Sequence, residues 1–450
     1  MTQRERDRID RAGRRVLERN DLGTMVAAAP RLYPHQWSWD AAFIAIGLAH
    51  MSIPRAITEL RTLLAAQWST GMIPHIVFSP GTDYFPGPEV WGTNDVAAKP
   101  PGVETSGICQ PPVHALSLAR VVEVAEREGG EAADSAHAFA HEAVPRLAAW
   151  HRWLTTARDP DGLGLVQIHH GWESGMDNSP RWDTAYDAVV VEHEAQLRRH
   201  DLSVVSDASQ RPTDREYQRY LHLVAQMRAV GYADHRLAEV VDFRMGDVFM
   251  TALLSVAAAE LAALGRRLRL DDAVTGQDEI SARARQAVLA TVDADTGLCR
   301  DWNARQGQWS LAQSLASFSV LLSGGDEHAF RHQLEVITGP HWAGHPDLRF
   351  TLPPTLSPDD PGYQPRAYWR GPVWPVMNWL FWWALSRHGE GAVAWQWREQ
   401  GLAQLGDLRF GEYYEPTTGD PLGSLDQSWS AAVALDWVAS HVEETRDSST

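Results

Sequence analysis

The chain has 450 residues, of which 44% are hydrophobic and 22% are charged, and its 40 Lys and Arg against 58 Asp and Glu give a formal charge of −18. This composition is typical of a globular protein and excludes the disordered, collagen-like and fibrous classes. The charge argues against a binder of nucleic-acid backbones, because that function needs clustered positive charge. The 20 Trp outnumber the 11 Phe and the 10 Tyr, although Trp is ordinarily the rarest aromatic residue.

Residues 1–20 form a charged, amphipathic segment that lacks the apolar core of a secretory signal and predicts a first helix. The most apolar stretch that we identify, residues 374–385, is shorter than the roughly 20 residues that cross a bilayer. Cys109 and Cys299 are far apart and fit no zinc, disulfide-scaffold or redox spacing, which suits a reducing compartment. We therefore expect a cytoplasmic protein without membrane contact.

Apolar residues at helical spacing dominate the remaining chain, and alternating strands are few, residues 165–169 being the best. The segments that predict helices are 53–68, 114–125, 136–154, 184–200, 214–230, 248–264, 282–290, 311–322, 328–337, 375–387, 392–404 and 427–440. About a dozen helices with almost no strand predict an all-α fold.

Long segments rich in Gly, Pro and aromatic residues separate some of these helices, and segments of this length in a compact domain are usually functional. They are residues 71–112, 171–183, 339–372 and 410–426. Short turns at one end of paired helices and long loops at the other predict a helical toroid whose loops build one pocket. We predict a single domain over residues 1–450, with cap insertions around 71–107, 200–232 and 339–372. Within these insertions, residues 71–89 and 352–367 are predicted lids that exclude water.

Aromatic residues in the long loops lie beside carboxylates and amides. The aromatic residues are Tyr33, Trp37, Trp39, Tyr84, Phe85, Trp91, Trp172, Trp182, Tyr368, Trp369 and Trp374, and the polar ones include Asp40, Gln110, Glu173, Asp177, Asp183, Glu412, Glu415 and Gln427. Flat apolar rings beside fixed hydrogen-bonding groups match a sugar and predict a carbohydrate pocket. Packing is the alternative for every Trp. We prefer it for Trp150, Trp153, Trp379, Trp382, Trp383, Trp395, Trp397 and Trp437, which have helical spacing, and leave it open for the loop Trp residues.

Cleavage of a glycoside needs one protonated carboxyl group and one ionised carboxylate. An aromatic cleft raises the pKa of a carboxyl group by desolvation, which keeps it protonated near neutral pH. Asp177 is the candidate acid, and helix capping by its Asp-Asn-Ser-Pro turn is the alternative. Glu412 and Glu415 are candidates for the second carboxylate, although either could be a solvated loop residue.

Metal and nucleotide chemistry find little support in the motifs. His193, Glu194 and His200 lack the paired histidines of a zinc-protease helix, and residues 293–297 depart from the spacing of a calcium loop. Neither a Gly-rich phosphate loop nor a G-x-S-x-G motif is present. We predict no metal and no cofactor.

Four ordered motifs resemble the inverting α-glycosidases of glycoside hydrolase family 63, with a more distant likeness to trehalases. They are YPHQWSWD at 33–40, GWESGMDNSPRW at 171–182, YWRGPVW at 368–374 with Asn378, and EYYEPTTG at 412–419 with WSA at 429–431. The resemblance implies an (α/α)6 barrel of six inner and six outer helices. It places the general acid at Asp177 and the general base at Glu412, with Glu415 ranked second.

The chain carries no β-rich N-terminal domain like that of the larger family members, and in this it is similar to the bacterial members that hydrolyse 2-O-α-D-glycosyl-D-glycerates. Residues 211–217 resemble the insertion that holds the glycerate carboxylate there, which implies a charge-assisted grip by Arg211 rather than by Arg215. The substrate-binding residues that the resemblance implies are Tyr33, Trp37, Asp40, Gln110, Trp172, Arg211, Tyr217, Tyr368, Trp369, Trp374 and Gln427.

The implied function is inverting hydrolysis of the small anionic substrate glucosylglycerate to hexose and glycerate, with mannosylglycerate as a second substrate. Two other functions stay open: another small-substrate α-glucosidase, such as a trehalase-like or α-disaccharide hydrolase, and a non-catalytic sugar-binding protein. A homodimer or homotetramer is the assembly expected from the resemblance.

Overall fold

The structure, a computed structural model, describes residues 1–82, 84–205 and 207–447, the last seven as backbone alone. Asp83 and Ser206, which fall in two predicted insertions, and the end of the predicted domain after residue 447 lie outside the described residues. The described residues contain seventeen α-helices: α1 (Gln3–Asn20), α2 (Ser38–Ala49), α3 (Ile53–Ala65), α4 (Pro88–Trp91), α5 (His114–Glu128), α6 (Gly130–Thr156), α7 (Asp183–Asp187), α8 (Asp201–Val204), α9 (Asp214–Ala229), α10 (Asp234–Val240), α11 (Val248–Arg267), α12 (Gln277–Ala290), α13 (Val320–Ser323), α14 (Glu327–Thr338), α15 (Pro375–Arg387), α16 (Gly391–Gln404) and α17 (Ser428–Asp447).

The strands are two residues long and form small antiparallel sheets. They are β1 (Gln36–Trp37), β2 (Ile76–Val77), β3 (Gln167–Ile168), β4 (Met245–Gly246), β5 (Trp302–Asn303), β6 (Gln308–Trp309), β7 (Tyr413–Tyr414) and β8 (Pro421–Leu422). β1 pairs with β2, β3 to β6 form one sheet in chain order, and β7 pairs with β8. These pairs join the loops that lead into the barrel helices.

Six helices form a closed inner ring. Contacts run from α2 to α5, α11, α13, α15 and α17, and α17 packs back against α2. Each inner helix is backed by one outer helix, α3, α6, α12, α14, α16 and α1 respectively. This arrangement is an (α/α)6 barrel, and the predicted all-α fold is confirmed.

Burial explains which helices the sequence pattern reveals. All twelve residues of α2 are buried, so this helix has no polar face, and helical periodicity did not predict it. α11 is the longest apolar helix of the described chain, with a mean hydropathy of 1.9 over a window that is 78% buried. Residues 374–385, predicted to be the most apolar stretch, fall largely in α15. α2 and α11 owe their apolar character to their place in the inner ring of the barrel.

Two predicted helices and one predicted packing residue are wrong. In 184–200 the helix α7 ends at Asp187, because Val190 is 71% exposed and offers no buried face. The side chain of Gln218 bonds the backbone N–H and C=O of Ala195 in place of helical partners. In 311–322 only a 3-10 turn and the short α13 form. Trp395, expected to pack, is 52% exposed on α16.

A buried carboxylate connects four inner helices. Asp436 on α17 accepts hydrogen bonds from His50 at the end of α2 (2.8 Å), Arg120 on α5 (2.8 Å) and Trp379 on α15 (2.9 Å). Burial alone would raise the pKa of Asp436, but the charges of Arg120 and His50 hold it well below its ordinary value. The ionised carboxylate therefore stabilises the barrel, and this contribution is lost only as the pH falls through that depressed pKa.

Replacing Asp436 with Ala should lower the free energy of unfolding by about 3–5 kcal/mol, because it breaks a buried ion pair and leaves Arg120 without this partner. Urea denaturation followed by circular dichroism measures the change. Glu142→Ala is the control: it breaks an ion pair with Arg61 whose side chains are 55% and 51% exposed, and should change the stability by at most about 1 kcal/mol. Equal stability of the two variants would contradict the role of Asp436.

Candidate active site

A cavity lies where the long loops enter the inner helices, and the empty space of about 650 Å³ there includes the solvent at its open mouth. The two first-ranked catalytic candidates and all of the predicted substrate-binding residues except Trp374 line it: Tyr33, Trp37, Asp40, Gln110, Trp172, Asp177, Arg211, Tyr217, Tyr368, Trp369, Glu412 and Gln427. The other lining residues are Trp39, His75, Ile76, Tyr84, Pro86, Gly175 and Trp429. Segments distant in the sequence therefore converge on one pocket.

Several lining residues lie at the start of an inner helix. Asp40 is in the first turn of α2, Gln110 precedes α5, and Gln427 immediately precedes α17. The N-terminal end of a helix carries a partial positive charge from its unpaired N–H groups. The barrel therefore presents several such ends to the same cavity, where they favour negative charge.

Trp374 supports the wall of the cavity from behind. Its ring stacks on Trp369 at a centroid distance of 3.6 Å and an interplanar angle of 7°, and on Tyr413 at 4.6 Å and 24°. The Trp374 side chain is fully buried and does not line the cavity. The Trp369 ring does line the cavity, and stacking on Trp374 fixes its plane.

The loop that carries Asp177 is held on both sides. Before it, the His170 ring accepts a hydrogen bond from the backbone of Trp172 (3.0 Å), and Gly175 takes a positive φ of 71°. A Cβ at Gly175 would lie 2.7 Å from the Trp39 ring, so this close approach requires glycine. After it, Arg181 makes two hydrogen bonds to Asp301 (2.8 and 2.6 Å).

Asp177 has the protonation behaviour of a general acid. Burial raises its pKa to about 7, and the neighbouring charge of Glu412 adds to the rise, while the Arg211 guanidinium opposes it. Near neutral pH a large fraction of this carboxyl group therefore carries a proton.

Glu412 is surrounded by hydrogen-bond donors. The Tyr33 hydroxyl donates to Oε1 (2.9 Å) and the backbone N–H of Ser424 donates to Oε2 (3.0 Å). A Cβ at Gly423 would lie 2.4 Å from Oε2, so the β7–β8 hairpin can approach the carboxylate only with glycine there. Burial raises the pKa of Glu412 above its ordinary value, and Arg211, Ser424 and Tyr33 offset part of that rise. These donors favour the ionised form that a general base needs.

Glu415, the second-ranked candidate for the base, closes its own turn. Its carboxylate accepts hydrogen bonds from the backbone N–H and hydroxyl of Thr417 (3.1 and 2.9 Å) and from the backbone of Thr418. It does not line the cavity. The structure therefore gives Glu415 a local structural contact and brings Glu412, not Glu415, to Asp177.

Arg211 brings a positive charge into this acidic pocket. Its Nη1 donates to the Tyr33 hydroxyl (2.8 Å) and lies 3.9 Å from Oε1 of Glu412, and its guanidinium lies 4.5 Å from the centre of the Tyr368 ring. Arg215, the other arginine of this segment, is exposed and does not line the cavity. Arg211 is thus the arginine of the segment that a substrate can meet.

The two glutamines present their amide groups with defined orientation. Oε1 of Gln110 accepts from the backbone N–H of Trp39 (3.2 Å), and Oε1 of Gln427 accepts from the Ser424 hydroxyl (2.8 Å). Both side chains line the cavity, and among the described residues no hydrogen bond is donated by either NH2 group. Asp40 supplies a third carboxyl group, and burial together with the Glu412 charge raises its pKa well above the ordinary value.

His75 is a lining residue that the sequence analysis missed. Its ring stacks against Trp172 at 6.2 Å and 23°, and burial lowers its pKa to about 3, so it is neutral at physiological pH. No motif or spacing in the sequence marks it. Its position follows from the pairing of β1 with β2, which brings Ile76 opposite Trp37, and from the hydrogen bond that its backbone N–H donates to Ile108 (2.7 Å). Among the described residues, no group of three or more His, Cys, Asp or Glu could hold a metal ion.

Comparison with known proteins places the chain among characterised enzymes. Residues 33–430 match the family model described as the mannosylglycerate hydrolase MGH1-like glycoside hydrolase domain. The chain is 49% identical to the glucosylglycerate hydrolase of Mycolicibacterium hassiacum over 94% of this chain and 96% of that one. It is 38% identical to the mannosylglycerate hydrolase of Thermus thermophilus over 94% and 98%.

The solved structures agree with this placement. A GH63 mannosylglycerate hydrolase from Thermus thermophilus, in complex with Tris and D-glycerate, superposes with a TM-score of 0.87 at 36% identity, covering 95% of this chain and 99% of that one. A complex of the same enzyme with glucose gives 0.83 over the same shares. The neutral trehalase Nth1 from Saccharomyces cerevisiae, at 14% identity and a TM-score of 0.54 over 93% and 74% of the chains, shares the fold.

The environment of Asp177 predicts its titration. We expect its carboxyl group to titrate near pH 7, and at higher pH in Arg211→Gln, because that substitution removes a charge that lowers its pKa. NMR with ¹³C-carboxyl-labelled aspartate measures both midpoints, and Asp177→Asn identifies the signal. Titration near the ordinary value of 3.8 would contradict the desolvation argument.

Proposed function

Because the chain belongs to the mannosylglycerate hydrolase MGH1-like family of glycoside hydrolases, we propose that it hydrolyses 2-O-α-D-glucosyl-D-glycerate to glucose and D-glycerate, with the mannosyl compound as a second substrate. The observation that carries the proposal is the presence of Asp177, Glu412 and the buried guanidinium of Arg211 in one aromatic cavity. The higher identity to a glucosylglycerate hydrolase supports glucose as the preferred sugar.

In the proposed reaction, Asp177 donates its proton to the oxygen that bridges the hexose and glycerate. The bond between that oxygen and the anomeric carbon breaks, and its electron pair stays with the oxygen. Glu412 takes a proton from a water molecule, whose oxygen bonds to the anomeric carbon from the opposite face. This single displacement inverts the configuration and requires carboxyl groups about 6.5–9.5 Å apart.

The recognition of the two halves of the substrate uses different residues. The rings of Trp37, Trp172 and Trp369 pack on the apolar face of the hexose, and Asp40 and the glutamine amides bind its hydroxyls. Arg211, with Tyr217, binds the glycerate carboxylate. Because the overall charge of −18 repels an anion at long range, a fixed guanidinium inside the pocket is the group that favours this substrate.

The remaining expectations join this proposal. Residues 71–89 and 352–367 act as lids: Tyr84 and Pro86 of the first line the cavity, and the second leads directly into Tyr368 and Trp369. A cytoplasmic location and a homodimeric or homotetrameric assembly remain predictions from the sequence.

The assay that tests the function measures hexose release from glucosylglycerate, mannosylglycerate, trehalose and kojibiose. We expect the first two to be hydrolysed and NMR to show the β-anomer of the hexose first. Asp177→Asn and Glu412→Gln should each lower kcat by about 100- to 10,000-fold while the far-UV circular dichroism is unchanged. Initial release of the α-anomer would contradict inversion, and binding without hydrolysis would make the chain a sugar-binding protein.

Arg211 should determine the preference for a charged substrate. We compare kcat/KM for glucosylglycerate with kcat/KM for 2-O-α-D-glucosylglycerol, which has no carboxylate. Arg211→Gln should lower the ratio of the first value to the second by about 10- to 100-fold, because only glucosylglycerate loses a charge-assisted hydrogen bond to Arg211. Using the ratio cancels the effect of the substitution on the catalytic carboxyl groups. Arg215→Gln is the matched control, and an unchanged ratio in Arg211→Gln would assign the carboxylate to another residue.

A further inference from the structure

A buried ion pair lies directly behind the cavity and takes no part in the proposed reaction. Glu173 and Arg158 are 0% and 1% exposed, and neither lines the cavity. Arg158 follows the end of the outer helix α6, whereas Glu173 lies in the 3-10 turn that also contains Trp172. The pair therefore joins the rigid outer layer of the barrel to a loop of the pocket.

The Glu173 carboxylate collects five hydrogen bonds from three segments. Arg158 donates two in fork geometry (2.6 and 2.9 Å), and the backbone N–H of His169 donates a third (2.7 Å). The backbone N–H and the thiol of Cys109 donate the others to Oε1 (3.3 and 3.4 Å). Burial and the Glu173 charge raise the pKa of Cys109 well above its ordinary value, so the thiol keeps the proton that it donates.

These bonds connect the two walls that hold the hexose in the proposed function. Trp172 immediately precedes Glu173, and its ring lines the cavity. Gln110 immediately follows Cys109 and offers its amide NH2 group to the same cavity. The two segments are far apart in the sequence. Glu173 belongs to the segment of Trp172, and its carboxylate accepts a hydrogen bond from the backbone of the segment of Gln110.

We propose that Glu173 is a positioning residue for hydrolysis: through Cys109 it fixes Gln110 relative to Trp172, and so places the anomeric carbon between the acid and the base. This inference rests on the proposed function. A misplacement of about 1 Å in a bound substrate can lower the rate by about 100-fold, and a carboxylate with five donors permits little movement of either wall. Arg211 makes none of these five bonds, and Tyr217 meets the tethered walls only at the edge of the Trp172 ring (6.4 Å and 68°), so the glycerate half depends less on Glu173 than the hexose half does.

The experiment separates the two halves of the substrate. Calorimetry gives the dissociation constants of D-glucose and D-glycerate, and steady-state kinetics gives kcat and KM for glucosylglycerate. In Glu173→Gln we expect kcat for glucosylglycerate to fall about 100-fold and the dissociation constant of D-glucose to rise, while the constant for D-glycerate stays within about twofold. A loss of folded protein alone would instead weaken the apparent binding of both ligands to the same extent.

Asp436→Asn is the control matched for the loss of a buried carboxylate, because its partners lie in the barrel core and none lines the cavity. It should lower the stability and leave both dissociation constants unchanged. Cys109→Ala retains the ion pair and removes the hydrogen bond from the thiol. It should therefore raise the dissociation constant of D-glucose but not that of D-glycerate, by a smaller factor than Glu173→Gln does. If Glu173→Gln does not fold, this variant decides the question by the same criterion.

The possible failures are distinct. A wild-type chain that releases no hexose from either glycosylglycerate overturns the proposed function. The wild-type chain could instead hydrolyse glucosylglycerate while the variants raise the dissociation constants of D-glucose and D-glycerate equally, or change neither. That result overturns the positioning role of Glu173.

Discussion

The chemistry of the pocket depends on one buried guanidinium. Asp40, Asp177 and Glu412 line one cavity, and burial raises the pKa of each. Without a nearby cation all three would tend to be neutral, and no base would be available. Arg211 lowers the pKa of both Asp177 and Glu412, but Glu412 also receives the Tyr33 and Ser424 donors. The Tyr33 and Ser424 donors lower the pKa of Glu412, and a hydrogen bond with Tyr368 lowers that of Asp177.

The barrel supplies the rigidity that this charge arrangement requires. The acid loop is tied by Arg181 to Asp247, the N-cap of α11, and to Asp301. The base lies on a hairpin that leads into α17, and the Trp369–Trp374 stack lies at the start of α15. Asp177 and Glu412 are therefore each anchored to an inner helix, while Arg211 and Tyr217, the residues proposed to bind the glycerate carboxylate, come from an insertion. Such a division places the fixed chemistry on the scaffold and the specificity on the loops.

The sequence predicts most of this structure where a residue pattern has one physical meaning. Amphipathic outer helices show their period because one face meets water, whereas α2, buried on all sides, has no period to detect. The pattern in 184–200 has helical spacing, but most side chains after Asp187 are not buried, and the helix ends there. The pocket residues at motif positions were accessible to sequence reasoning. The roles of His75, Gly423 and the Trp374 stack were not, because each depends on what another segment places beside it.

The closure of the inner ring has a consequence for folding. The contact of α17 with α2 joins elements near the two ends of the chain, and such long-range contacts form late because their loop entropy must be overcome first. Tyr33 precedes α2 and Glu412 precedes α17, and the two meet only across this seam. Secondary structure can thus form locally in each helical pair before any active site exists. Recovery of activity on refolding therefore reports the joining of the seam, an event that changes the far-UV circular dichroism very little.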